Sequence, residues 1–152
     1  QSDSAAIALS EAIAALKMGH AIGIYPEGTL TRDPNLWPMT GKTGAVRLAL
    51  AAGAPLIPIA QWGDHEILAP YSKALKIIPR KLVTLNCGEP IDISKWHGKE
   101  DDPIAMEEAT QYVMSQLSQM VGQLRGEQPP TELFDIRKSD LPRTGNYKKN
   151  KK

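Results

Sequence analysis

The chain has 152 residues, 41% of them apolar and 23% charged, with a formal net charge of +1, the composition of an ordinary soluble globular domain with its own core. A single cysteine, Cys87, excludes an internal disulfide framework and a multi-cysteine zinc cluster and fits a reducing compartment; it reads as a strand residue rather than a nucleophile. The longest uncharged apolar stretch, LALAAGAPLIPIA from Leu48 to Ala60, is too short to cross a bilayer and is broken by Pro55 and Pro58, and no signal-peptide pattern precedes it.

The charge is unevenly placed. From Thr131 to Lys152 there are seven basic residues against three acidic ones, a net +4, which leaves the remaining chain slightly acidic and no nucleic-acid binder by charge. The first residue is Gln1 rather than methionine, and a piece of a longer product is expected.

In chain order, residues Ser4 to Met18 are expected to form an amphipathic helix. Ser2, Asp3 or Ser4 is its cap, Ile7, Ile13 and Leu16 lie on its face, and Gly19 is its stop. AIGIY, Ala21 to Tyr25, reads as a strand ended by Pro26. The Asp33-Pro34 and Trp37-Pro38 pairs keep the following stretch irregular. Lys42 to Ala52 then reads as a helix stopped by Gly53, and PLIPIAQ as a second buried strand. A strand, helix, strand unit of this kind predicts two parallel strands with a right-handed crossover. ALKII and KLVTLNC, flanking Pro79-Arg80, read as a hairpin or bent pair, with Val83, Leu85 and Cys87 on one face. The last helix is capped by Asp102 with Pro103 in its first turn, and carries Val113, Leu117, Met120, Val121 and Leu124 at helical spacing. The expected division is a domain over 1–126 and a polar, basic, flexible tail over 127–152.

The sequence YPEGTLTRDPNLWPMTGKTG, residues 25 to 44, holds the candidate site. Gly41-Lys42-Thr43 matches the end of a phosphate-binding P-loop, but the first glycine of that pattern falls on Leu36. Pro26-Glu27-Gly28-Thr29 follows a predicted strand directly, where α/β sheets place their ligands. A carboxylate, a hydroxyl, Arg32 and Lys42 on one irregular loop suit a small polar head group carrying phosphate. Beside a lysine and an arginine, Glu27 is expected to be ionised and weakly basic, an acceptor of hydrogen bonds rather than a base.

IYPEGTLT, followed by GKTGAVRLALAAGAPLIPIA and LVTLNCGEPIDIS, resembles the glycerophospholipid acyltransferases, and among them the lysophosphatidic acid (1-acylglycerol-3-phosphate) acyltransferases in an actinobacterial-like form. Glu27-Gly28-Thr29, Lys42-Thr43-Gly44, Ile57-Pro58-Ile59 and Gly88-Glu89-Pro90 resemble four of the family's blocks in order. The resemblance implies a glycerolphosphate acyltransferase-like α/β fold, a partly parallel sheet flanked by helices, of which this chain is the carboxyl-terminal part. It implies transfer of a fatty acyl group from acyl-CoA or acyl carrier protein to a lysophospholipid, with no cofactor and no metal, at the cytoplasmic face of the membrane as a peripheral protein. Glu27, Gly28, Thr29, Arg32 and Lys42 are the implied acceptor-binding residues. Where the family has arginine after the threonine, this chain has Leu30, so phosphate contact is expected from Arg32 and Lys42.

The family's catalytic histidine and aspartate lie in an H-x-x-x-x-D block upstream of the glutamate. Neither His20 nor His65 has an aspartate at that spacing, and His97 with Asp102 has the spacing but the wrong order. No catalytic residue is therefore assigned, His97 reads as a loop residue, and the chain is expected to be inactive alone. The alternative is a non-catalytic relative that binds lipid phosphate or a partner through the same loop.

Overall fold

The computed structural model describes residues 2–142 and 146. Helix α1, Ser2–Lys17, opens the chain; the Gly19 and His20 amides close its end by donating to the carbonyls of Leu16 and Ala15. It packs on α2, Gly44–Ala52. Strand β1, Ile59–Trp62, leads into the one-turn helix α3, Asp64–Ile67, and β2 spans Thr84–Cys87. A 3-10 turn at Ser94–Trp96 precedes the long helix α4, Pro103–Arg125, and a second 3-10 turn lies at Ile136–Lys138.

Helix α4 forms where its sequence signals place it. The Asp102 carboxylate accepts from the amides of Ile104 and Ala105 at 2.9 and 3.3 Å, Pro103 stands where no amide is needed, and Gly126 takes the left-handed cap at φ 65°. The buried face of α4 organises two apolar clusters. In the larger, Ala105, Met106, Ala109 and Val113 meet Val46, Ala49 and Leu50 of α2, with Ile93 and Trp96 closing the end. In the smaller, Val121 packs with Trp37 and Ala60, flanked by Trp62, Met120 and Leu124.

The sheet departs from expectation. The described residues contain one two-stranded antiparallel sheet, β1 against β2, with Ile59 opposite Cys87 and Trp62 opposite Thr84. Their only parallel pairing outside named strands is an isolated bridge between Met39 and Phe134. The expected strand at 21–25 does not form: no described residue bonds the backbone groups of 21–24. A strand exists only with a partner, and these residues, solvent-exposed throughout, have none among the described residues. The hairpin or bent pair expected around Pro79 forms no ladder among the described residues: of its two segments only Thr84–Cys87 is a strand, and it pairs with β1. Cys87 and Leu85 are exposed, so the face on which they alternate is not a buried one.

Register also fixes what β1 leaves open. The Gly88 amide donates to the Pro58 carbonyl at 2.9 Å, so pairs related to it by two residues, such as Ala60 with Asn86, are the hydrogen-bonded ones. The backbone groups of Ile59 and Gln61 therefore point away from β2.

The stretch after α4 is partly packed rather than a free arm. The Phe134 carbonyl accepts from the Thr40 amide at 3.0 Å, and Arg137 pairs with Glu107 of α4 at 3.0 Å and with Asp135 at 2.9 Å. The basic cluster Lys148, Lys149, Lys151 and Lys152 lies outside the described residues.

Candidate functional site

The Glu27 loop is a closed ring of chain. The Gly28 amide donates to the Tyr25 carbonyl at 3.0 Å, making a turn with Pro26 and Glu27 at its centre, and the Lys42 amide reaches back to the Pro26 carbonyl at 2.8 Å. Inside the ring, Asp33 accepts from the amides of Asn35 and Trp37, and the Thr31 hydroxyl donates to the Trp37 carbonyl at 2.7 Å. Leu36 is held at φ 63°, a left-handed conformation costly for a residue with a Cβ. The backbone at the position where a P-loop would need glycine thus has a glycine-like shape, but Leu36 turns a side chain into the groove described next.

Glu27 is clamped by this ring. Its Oε1 accepts from the Met39 amide at 2.9 Å, and Met39 is itself buried, with its sulfur against the Arg32 amide at 3.0 Å. The carboxylate is half-buried, and burial pushes its pKa above the ordinary glutamate value, partly opposed by the Met39 hydrogen bond. The expectation was a carboxylate whose ionisation is favoured by Arg32 and Lys42; loss of solvent is instead the largest influence on it, and it acts in the opposite direction.

Beside Glu27 opens an apolar groove of about 700 Å3, within the range of about 300–1,000 Å3 usual for small-molecule sites. Ile22, Ile24, Ile57 and Ile59 line it together with Val113 and Leu117 of α4. Glu27 and Thr29 line it; Gly28, Arg32 and Lys42 do not. Arg32 is 2% exposed, with its guanidinium 4.9 Å from the centre of the Tyr71 ring. Lys42 is exposed and its Nζ lies over Gly28, 2.9 Å from where a Cβ would stand. Of the two cations expected on a phosphate, the structure presents Lys42 to solvent and packs Arg32 into the body.

That placement gives Gly28 two reasons to be glycine, its φ of 67° and the lysine tip above it. Gly28→Ala is expected to lower stability by about 1–2 kcal/mol through the left-handed backbone alone, because the flexible Lys42 tip can swing aside. Urea unfolding checks the size.

His97 is exposed, and its amide closes the 3-10 turn by donating to the Ser94 carbonyl at 3.0 Å. Asp102 is occupied as the cap of α4, and neither residue lines the groove. Sequence reasoning missed His65, which does line it, with its ring 4.4 Å from that of Trp62. The only signal for His65 was its place just after a strand end. Sequence reasoning also missed the Met39 amide, since a backbone donor leaves no residue-type signature. Among the described residues no group of three or more His, Cys, Asp or Glu side chains is placed to hold a metal ion.

No curated protein and no solved structure matches the chain. The acyltransferase family model matches residues 1–62, from α1 through the whole Glu27 loop to the end of β1, which supports an acyltransferase-family relative and, in general terms, acyl transfer.

Proposed function

We propose that this chain carries the acceptor side of a lysophospholipid acyltransferase site, used to convert lysophosphatidate to phosphatidate in phospholipid synthesis at the cytoplasmic membrane face. The observation that carries the reading is Glu27, a half-buried carboxylate fixed by a backbone amide at the edge of an apolar groove. A lysophospholipid presents a hydroxyl and a phosphate at one end and an apolar chain at the other. The groove suits the chain, Glu27 in its ionised form accepts a hydrogen bond from the hydroxyl, and Lys42 meets the phosphate. In the transfer, the acceptor oxygen bonds to the thioester carbonyl carbon of acyl-CoA or acyl carrier protein, the carbon–sulfur bond breaks, and the hydroxyl proton is passed on as the thiol leaves. A basic group must receive that proton.

The test is phosphatidate formation from lysophosphatidate by the full-length product bearing this chain, with acyl-CoA and acyl carrier protein as separate donors. Turnover with neither donor overturns the reading. Lys42→Ala is expected to raise the KM for lysophosphatidate by about tenfold, the middle of the range for a charge-assisted hydrogen bond, with kcat little changed. An unaltered KM removes Lys42 from the phosphate.

A second reading, a non-catalytic relative that binds lipid phosphate, is favoured by one observation: the histidine and aspartate at family spacing, His97 and Asp102, lie away from the groove, with Asp102 capping a helix. Saturable lysophosphatidate binding without turnover by the full-length product selects it.

A further inference from the structure

Between α3 and β2 the chain runs through LAPYSKALKIIPRKLV, residues 68–83. Eight consecutive residues, Lys73 to Arg80, are all solvent-exposed, and among them and their neighbours stand four large apolar side chains held in solvent: Leu75 at 62%, Ile77 at 58%, Ile78 at 87% and Leu82 at 80%. Interleaved with them are Lys73, Lys76, Arg80 and Lys81, and the whole 68–83 stretch has no acidic residue. A solvated loop has no use for four aliphatic side chains held in water, and a patch of this kind marks a surface made to be covered.

The loop is nevertheless held in place. The Lys76 amide donates to the Ile67 carbonyl at 2.8 Å, the Ser72 amide to the Ala69 carbonyl at 2.9 Å, and the Ala74 amide to the Ser72 hydroxyl at 3.0 Å. Its foot adjoins the candidate site: Pro70 lines the groove, and the Tyr71 ring lies against Arg32 of the Glu27 loop.

We propose that residues 68–83 form a membrane-docking loop for an anionic lipid surface, with Leu75, Ile77, Ile78 and Leu82 entering the head-group boundary and Lys73, Lys76, Arg80 and Lys81 paired with lipid phosphates. Charge chooses this occupant over a second protein chain. Protein interfaces deplete lysine at their apolar centres, whereas alternation of aliphatic side chains with lysine and arginine is what an interfacial lipid anchor requires. The lipid surface follows from the loop alone; only delivery of a lysophospholipid from bilayer to groove rests on the acyl-transfer reading.

The experiment is sedimentation of the purified chain with phosphatidylcholine vesicles, with and without phosphatidylglycerol, at low and high salt, in an assay that needs no turnover. Three variants are compared: Lys76→Gln with Arg80→Gln, Ile77→Ser with Ile78→Ser, and Lys148, Lys149, Lys151 and Lys152 each changed to Gln in the tail. The parent is expected to bind vesicles containing phosphatidylglycerol and to be released by salt. Each loop charge removed weakens partition about fivefold, and the double serine variant weakens it at least tenfold even at low salt. Because Ile77 and Ile78 are exposed, the urea midpoint of that variant matches the parent, which separates lost docking from lost folding. Parental vesicle binding by both loop variants overturns the proposal, as does loss confined to the tail variant. An Ile77→Ser with Ile78→Ser effect on self-association, with no effect on vesicles, also overturns it and assigns the patch to a second copy of the chain.

Discussion

Arg125→Ala is expected to lower the free energy of unfolding by about 2–4 kcal/mol, a large share of what a domain of this size has to lose. Arg125 stands at the last turn of α4 with its side chain 8% exposed, and its guanidinium lies 3.9 Å from the centre of the Trp37 ring and 4.4 Å from that of Trp62. Its two terminal nitrogens donate to the Asn35 carbonyl at 2.9 Å and to Glu127 at 2.6 Å. One side chain thus ties the end of α4 to the Glu27 loop, to β1 and to the stretch after α4. Each cation–ring contact is worth about 0.5–2 kcal/mol and each charged hydrogen bond about 1.5–3 kcal/mol, against several kcal/mol for desolvating the cation. Alanine removes all of these and leaves a gap between two tryptophans.

Two further variants separate the parts. Arg125→Lys keeps the charge but not the flat group that fits between the rings, so about half the loss is expected. Glu127→Gln removes a partner that is 54% exposed, and should cost less than about 1 kcal/mol. Urea denaturation of the three variants provides the test; an Arg125→Ala midpoint equal to the parent's would mean that the two rings need no cation between them.

Legibility in the sequence followed the range of the interaction. Helix α4 was readable because its cap, its first-turn proline, its apolar spacing and its terminal glycine are local signals, and all of them act in the structure. α2 was readable from its helical composition and from Gly53 after it, although it begins at Gly44 rather than at Lys42. Two strand segments were readable as well, since β1 overlaps PLIPIAQ and β2 lies within KLVTLNC, but their pairing was not, because a run such as Ala21 to Tyr25 has strand composition whether or not a neighbour lies beside it. Pairing is decided by distant chain: β1 meets Thr84–Cys87 across the α3 loop, and no pattern within either segment names the other.

The site divides in the same way. Residue types near Glu27 could be read in order, but their depth could not: Arg32 and Lys42 have like charge in the sequence, and one is buried against Tyr71 while the other is exposed. Position in the ring decides this. Arg32 directly follows the residue whose hydroxyl bonds the Trp37 carbonyl, and its own amide meets Met39, whereas Lys42 closes the ring at its rim.

Glu27→Gln is expected to have opposite effects on stability and on function. Burial raises the Glu27 pKa, so across the window from the ordinary glutamate value up to the raised one, the folded chain holds a proton that the unfolded chain has released. Unfolding then releases protons, stability falls as pH rises through that window, and the whole penalty is present above it. Glutamine carries no such penalty, and its side-chain oxygen can still accept from the Met39 amide. Glu27→Gln is therefore expected to be more stable than the parent at neutral pH, with the advantage gone by about pH 4, where glutamate is protonated in both states. Function should move the other way. If the ionised carboxylate receives the acceptor hydroxyl, glutamine replaces a charged acceptor by a neutral one and lowers kcat/KM for lysophosphatidate by about 10- to 100-fold, the equivalent of about 1.5–3 kcal/mol. Parental activity should rise with pH through the raised Glu27 pKa, while the residual activity of the variant should lack that rise. Urea unfolding of both proteins at neutral pH and near pH 4, beside kcat/KM for the full-length product over the same range, measures the pair of effects. A stabilised Glu27→Gln with parental kcat/KM would leave Glu27 buried but outside the acceptor site; a destabilised one would show that the Met39 amide needs the carboxylate's charge more than burial opposes it.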